Sequence, residues 1–197
     1  MQAPIPVRER ARRAMRAELA MLGQDLFAAK GYEQTTIDDL VAAAGISKRT
    51  FFRYFTSKED LVLGKYDVWA ERLVEAFAAR PADEPVWQSL RRAFDVVADS
   101  FSDSDQLART LAMEKVIKDN PVLGAGELER VARVQDQLAT LLSARLTGDS
   151  PADPRPAAIT GAALSCLIAA KNIWIAGDQA EPFSVVLDQA MSALTIA

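Results

Sequence analysis

One short segment, Thr36–Phe55, constrains the fold more than any other. Thr36 is followed three residues later by Asp39, a capping box with Asp in place of the usual Glu. Ile37, Leu40, Val41 and Ala44 then recur at helical spacing. Gly45 ends that run at a point where a left-handed backbone costs a glycine little. Ser47 offers a second cap, and Lys48–Phe55 reads as a second short helix. Two short helices joined through Ala44-Gly45-Ile46-Ser47 have helix-turn-helix spacing, with Ile46 as a plug between them. In that motif the second helix enters the major groove of DNA and presents its first turn to base edges.

The flanks extend this head into an all-α chain. Residues 7–30 carry Ala11, Met15, Leu19, Leu22 and Leu26 on one stripe, with Gly31 closing the helix. Arg8, Arg12, Arg13 and Arg16 lie on its other sides, where they serve either as a phosphate-binding arm or as a solvated face. Ser57 with Asp60 starts a third element of the head that continues to about Arg80. Further helices are expected over 86–98, over 106–118 and from Gly126 to about Leu146, with Leu128, Val131, Val134 and Leu138 inward. Asp119-Asn120-Pro121 is read as a stop, and 147–156 as a loop. Helices over 157–175 and from Pro182 complete a count of about nine.

Composition enters through its asymmetry and its gaps. The whole chain has a formal charge of −4, yet residues 1–58 hold ten Lys or Arg against six Asp or Glu. A basic head on an acidic body favours a polyanionic partner at one end. There is no histidine and one cysteine, Cys166, so zinc sites and Ser-His-Asp chemistry lose their usual players. With no phosphate loop either, the expectation is a non-enzyme with no catalytic residues, metal or cofactor. No signal sequence is legible, and the apolar stretch Ala157–Ala170 is expected to fall short of a membrane span. A cytoplasmic protein with no membrane partner follows as an expectation.

The ordered set Thr35-Thr36-Ile37, Leu40-Val41, Ala44-Gly45-Ile46-Ser47, Thr50-Phe51-Phe52-Arg53-Tyr54-Phe55 and Ser57-Lys58-Glu59-Asp60-Leu61 resembles the DNA-binding head of the TetR-like bacterial regulators. The resemblance covers about residues 10–65. It implies a helix-turn-helix domain over 1–57 and an effector-binding and dimerisation domain over 58–197. It implies phosphate contacts from Thr36, Thr50 and Lys58, base contacts from Lys48 and Arg49, and an exposed recognition face that includes Ser47, Arg53 and Tyr54. Phe52 departs from the family, which usually has a tyrosine there whose hydroxyl reaches a phosphate. Either that contact is missing or Tyr54 supplies it.

The resemblance further implies a homodimer formed through the last two helices and a transcriptional repressor of a palindromic double-stranded DNA operator. Release would follow binding of a hydrophobic or amphipathic small molecule. Candidate walls for that effector are Trp69, Leu73, Phe77, Phe94, Phe101, Met113, Val116, Ile117 and Trp174, and each can equally be ordinary core. The run Arg49–Phe55 also resembles the mycofactocin-associated subgroup, which implies an acyl-CoA effector. A ligand-independent architectural or activator protein is the competing class. An effector that releases the protein from DNA separates the two.

Overall fold

A computed structural model describes residues 6–101, 104–146, 153–177 and 179–194, and every described element is helical. The order is α1 (Val7–Lys30), α2 (Ile37–Ala44), α3 (Lys48–Tyr54), α4 (Lys58–Ala78), α5 (Val86–Ala93), α6 (Asp95–Asp99), α7 (Ser104–Asp119), α8 (Pro121–Leu146), α9 (Arg155–Ala176) and α10 (Phe183–Ser192). The chain forms two compact units. One takes residues up to Tyr66 together with Ala108–Glu127, and the other takes Asp67–Leu107 and Leu128 onward.

The first unit is built around Leu19, Phe27, Leu40, Phe51, Phe55, Leu61 and Val62, all buried. Ala11 is exposed, so the buried stripe of α1 runs through Leu19, Gly23 and Phe27 instead. Gly23 permits close contact with α4, since a Cβ there would lie 2.5 Å from Leu61 Cδ2. The later segment of this unit is tied to the helices before it by polar contacts. Arg109 pairs with Asp25 at 3.2 Å, and Asn120 Nδ2 donates to Glu33 Oε1 at 2.7 Å. Tyr66 donates its hydroxyl to Glu114 at 2.7 Å, and burial followed by that carboxylate's charge pushes the phenol pKa up.

The second unit has a contiguous apolar core that includes Leu73, Phe77, Leu90, Phe94, Leu138, Leu142 and Leu187. Phe101, Trp174 and Phe183 form an aromatic cluster within it, with ring centroids 4.9 to 5.6 Å apart. The indole of Trp174 donates to the Glu181 carbonyl at 2.7 Å, which satisfies its one polar atom. Arg91 on α5 bonds Asp188 on α10, and Thr160, fully buried on α9, donates to the Pro156 carbonyl.

Four expectations change. The single helix over 86–98 is two, because the backbone breaks at Phe94 and Val97 N–H bonds back three residues to the Phe94 carbonyl. The eighth helix starts at Pro121 rather than after Gly126. Asn120 Oδ1 accepts from Val122 and Leu123 N–H, and proline at a first helical position forfeits no bond. Leu128 is 68% exposed, so the inward side of α8 runs through Val134, Leu138 and Leu142. Helix α9 begins at Arg155 and continues past Lys171 and Asn172, reaching 22 residues. It is therefore long and apolar enough to cross a membrane by length and composition, contrary to the expectation for its core stretch. Of the expected loop over 147–156, residues 147–152 lie outside the described residues and Arg155 and Pro156 are helical.

Candidate nucleic-acid interface

The interface is assembled from two caps and a glycine. Thr36 Oγ1 accepts from Asp39 N–H at 3.2 Å while Asp39 Oδ2 accepts from Thr36 N–H at 2.8 Å, which completes the capping box. Asp39 Oδ2 also accepts from the Thr36 hydroxyl and from Lys30 Nζ, both at 2.7 Å. The Lys30 bond, then those from Thr36, hold the Asp39 carboxyl well below the usual carboxylate range. Gly45 turns the chain at φ 62°, in the left-handed region, and Ile46 N–H returns to the Val41 carbonyl. Ser47 Oγ then accepts from Thr50 N–H at 3.1 Å and starts α3.

Helix α3 has two faces. Phe51 and Phe55 are 0% and 2% exposed and fix the helix against its own unit. Lys48, Arg49, Phe52 and Arg53 are exposed, while Thr50 and Tyr54 are half-buried. Arg49 has no hydrogen-bond or ion-pair partner among the described residues. Lys48 Nζ lies 2.9 Å from Asp38 in an open pair, which costs little to break. Arg53 stacks over the ring of Tyr54 at 5.0 Å and donates to its hydroxyl at 3.2 Å.

Other sequence-derived residues are engaged inside the unit. Both donors of Thr36 point to Asp39. Ser47 Oγ and Thr50 Oγ1 are 3.0 Å apart and form one hydrogen bond, in which either hydroxyl can donate. Lys58 Nζ donates to the carbonyls of Tyr32 at 2.8 Å and Thr35 at 3.2 Å, and sits 4.0 Å from the centre of the Tyr32 ring. Arg16 is neither arm nor solvated face. It donates to the Tyr54 carbonyl, lies 4.6 Å over the Phe55 ring, and so ties α1 to the end of α3. Its position on the stripe neighbouring Leu19 was the available signal, but the partner lies 38 residues away.

The expected effector walls divide between the units. Leu73, Phe77, Phe94, Phe101 and Trp174 share the core of the second unit, and the Trp69 ring is 6.3 Å from that of Phe101. Met113, Val116 and Ile117 belong to the first unit, where Met113 and Ile117 are buried and Val116 is half-buried.

Comparison with known proteins gives a consistent result. Residues 23–64 match the family model described as bacterial regulatory proteins, tetR family, and residues 84–197 match the MftR C-terminal domain. The chain is similar to the HTH-type transcriptional regulator TcmR of Streptomyces glaucescens, at 30% identity over 95% of this chain and 86% of that one. It is also similar to MftR of Mycobacterium tuberculosis, at 27% identity over 86% of this chain and 81% of that one. Among solved structures, FadR of Bacillus subtilis in complex with stearoyl-CoA superposes with a TM-score of 0.60 at 17% identity. That match covers 92% of this chain and 97% of FadR, and it speaks for the fold alone.

Proposed function

The chain belongs to the TetR family of bacterial regulatory proteins, and from that premise we propose that it is a homodimeric repressor of a palindromic operator, released by an apolar or amphipathic effector. The observation that carries the DNA reading is the two-faced helix α3, with Phe51 and Phe55 locked inward and Lys48, Arg49 and Arg53 outward. Lys48 and Arg49 are assigned to base edges, because a guanidinium matches guanine O6 and N7 in the major groove. Thr36, Thr50 and Lys58 are assigned to phosphates. Two of the three ammonium hydrogens of Lys58 are committed within the head, so it would meet a phosphate with the third. DNA contact is placed in 1–57 with Lys58 at its edge, and effector response and dimerisation in 58–197.

Dimerisation through α9 and α10 draws support from a surplus of apolar surface. An 18-residue window of α9 has mean hydropathy 1.5, yet 39% of it is buried within the chain. Ala158, Ser165, Ala169 and Ile173 are exposed along it, and small side chains let a second helix approach closely. A second copy, rather than lipid, is proposed to cover this face. Thr160 and Lys171, buried on the same helix, suit a protein core better than a bilayer.

The effector is placed beside the aromatic core of the second unit, whose walls offer apolar contact. An acyl-CoA thioester is the class to test first, because the resemblance of Arg49–Phe55 to the mycofactocin-associated regulators implies one and FadR of Bacillus subtilis was solved with stearoyl-CoA. Selection of bound sites from a random duplex pool, followed by footprinting and mass measurement of the complex, tests the operator reading. Two recognition helices related by a two-fold axis should protect half-sites about one helical turn, or a multiple, apart. Full-affinity binding of a monomer to a non-symmetric site refutes it. Stearoyl-CoA affinity with and without saturating operator tests release. A coupling of about 1–3 kcal/mol weakens DNA binding roughly 5–150-fold. Equal affinity in both cases removes this acyl-CoA from the reading.

A further inference from the structure

Phe52 is exposed at 51% on the outward side of α3, and among the described residues it is the one aromatic ring so placed. Its surroundings are cationic. It follows Lys48 by four residues and Arg49 by three, so it shares their strip of the helix, and Arg53 is its exposed neighbour in sequence. One side of the ring makes an edge-to-face contact with buried Phe51 (centroids 5.5 Å apart, planes at 88°), and the rest faces outward. An apolar ring set among exposed cations, of which Lys48 alone has an acidic partner among the described residues, in an open pair with Asp38, is poorly suited to an apolar protein partner and well suited to a polyanion with one apolar feature.

A DNA major groove has such a feature. Base edges there present hydrogen-bond donors and acceptors, except for the C5 methyl group of thymine. Phenylalanine has no atom that can bond a phosphate or a polar base edge. The faces of paired bases are stacked, so a ring entering the groove meets edges and not planes. We infer that Phe52 is a specificity-determining residue that reads a thymine methyl group in each half-site, beside the bases contacted by Lys48 and Arg49. This inference rests on the DNA-binding reading of α3 and adds a named base to it.

The test begins with duplexes selected by the full-length protein from a random pool. Each thymine of the selected site is then replaced by uracil, which removes the methyl group and keeps every hydrogen-bonding atom. Affinities of the natural chain and of Phe52→Ala are compared on both duplexes at one salt concentration. Burial of one methyl group predicts a loss of about fourfold per half-site, or about fifteenfold for a symmetric pair, at one thymine position. Phe52→Ala should bind the thymine and uracil duplexes equally. Wild-type indifference to uracil at every position, a selected site without an invariant thymine, or a uracil penalty that survives Phe52→Ala overturns the inference. If no sequence is enriched at all, the DNA-binding reading itself fails.

Discussion

Replacement of Lys58 by methionine keeps most of the aliphatic stem and removes the ammonium. That ammonium donates to the carbonyls of Tyr32 and Thr35, which belong to the turn between α1 and α2, and it lies over the Tyr32 ring. Lys58 is half-buried, so water can take over part of each bond, and about 1 kcal/mol net for each is the proper scale. The cation–π contact adds about 0.5 kcal/mol. Relief of a positive charge at the first residue of α4 returns about 0.5 kcal/mol through the helix dipole. The expected loss is about 2 kcal/mol, or a melting temperature lower by about 4–8 °C for a chain of this size. Calorimetry at fixed protein concentration reads this directly, and fixed concentration matters because dimerisation would shift the midpoint. A midpoint unchanged within about 1 °C, with helix content intact, would refute the assignment of Lys58 as the lock of the turn. The same variant titrated against operator at several salt concentrations should show a slope smaller by about 0.9 per lysine if the third hydrogen meets a phosphate.

Arg49→Ala is expected to lower discrimination between matched and scrambled operators by about 1–3 kcal/mol, and equal losses on both in a binding titration would move Arg49 to the phosphate class. Gly45→Ala meets no atom within 4 Å, so its cost, about 1 kcal/mol in a urea melt, comes from the left-handed backbone alone, and Gly45→Asn should cost less. Bonds from Arg80 and then Ser89 lower the Glu84 carboxyl from its ordinary 4.5 to about 2. The unfolded chain therefore takes up this proton first as pH falls, so the stabilisation is complete above pH 4.5 and disappears on acidification towards 2. Melting temperatures between pH 2 and 6 should show a shallower acid limb for Glu84→Gln than for the natural chain.

What the sequence made legible was local. The Thr36–Asp39 box, the Ser47 cap and the Gly45 turn each involve partners within about one helical turn, and α2 and α3 follow from them. The inward pair Phe51 and Phe55 is likewise a one-turn repeat. Arg16 and Lys58 were harder to read, because their acceptors are main-chain carbonyls, which no residue type announces. The acceptors of Lys58 lie 23 and 26 residues away. The break at Phe94 carries neither proline nor glycine, so periodicity ran through it. At Pro121 the same residue that ends one helix opens the next, and the signal reads as a stop unless Asn120 is recognised as a cap. The effector walls were chosen for being apolar, a property that buried core in either unit shares.

The two-part make-up of the first unit bears on how this protein could be taken apart. A stop codon after Tyr66 would yield a fragment that retains the whole helix-turn-helix and yet is not the unit that folding assembles. It would lose Glu114 from Tyr66, Arg109 from Asp25 and Asn120 from Glu33 in a single step. Leu123 and Ile117, buried in the whole chain, would depart with them. The DNA-reading module is therefore not a cassette that recombination at one boundary could transplant. Any chimaera that exchanges operator preference between relatives must either carry 108–127 along with the head or keep a recipient surface that matches it.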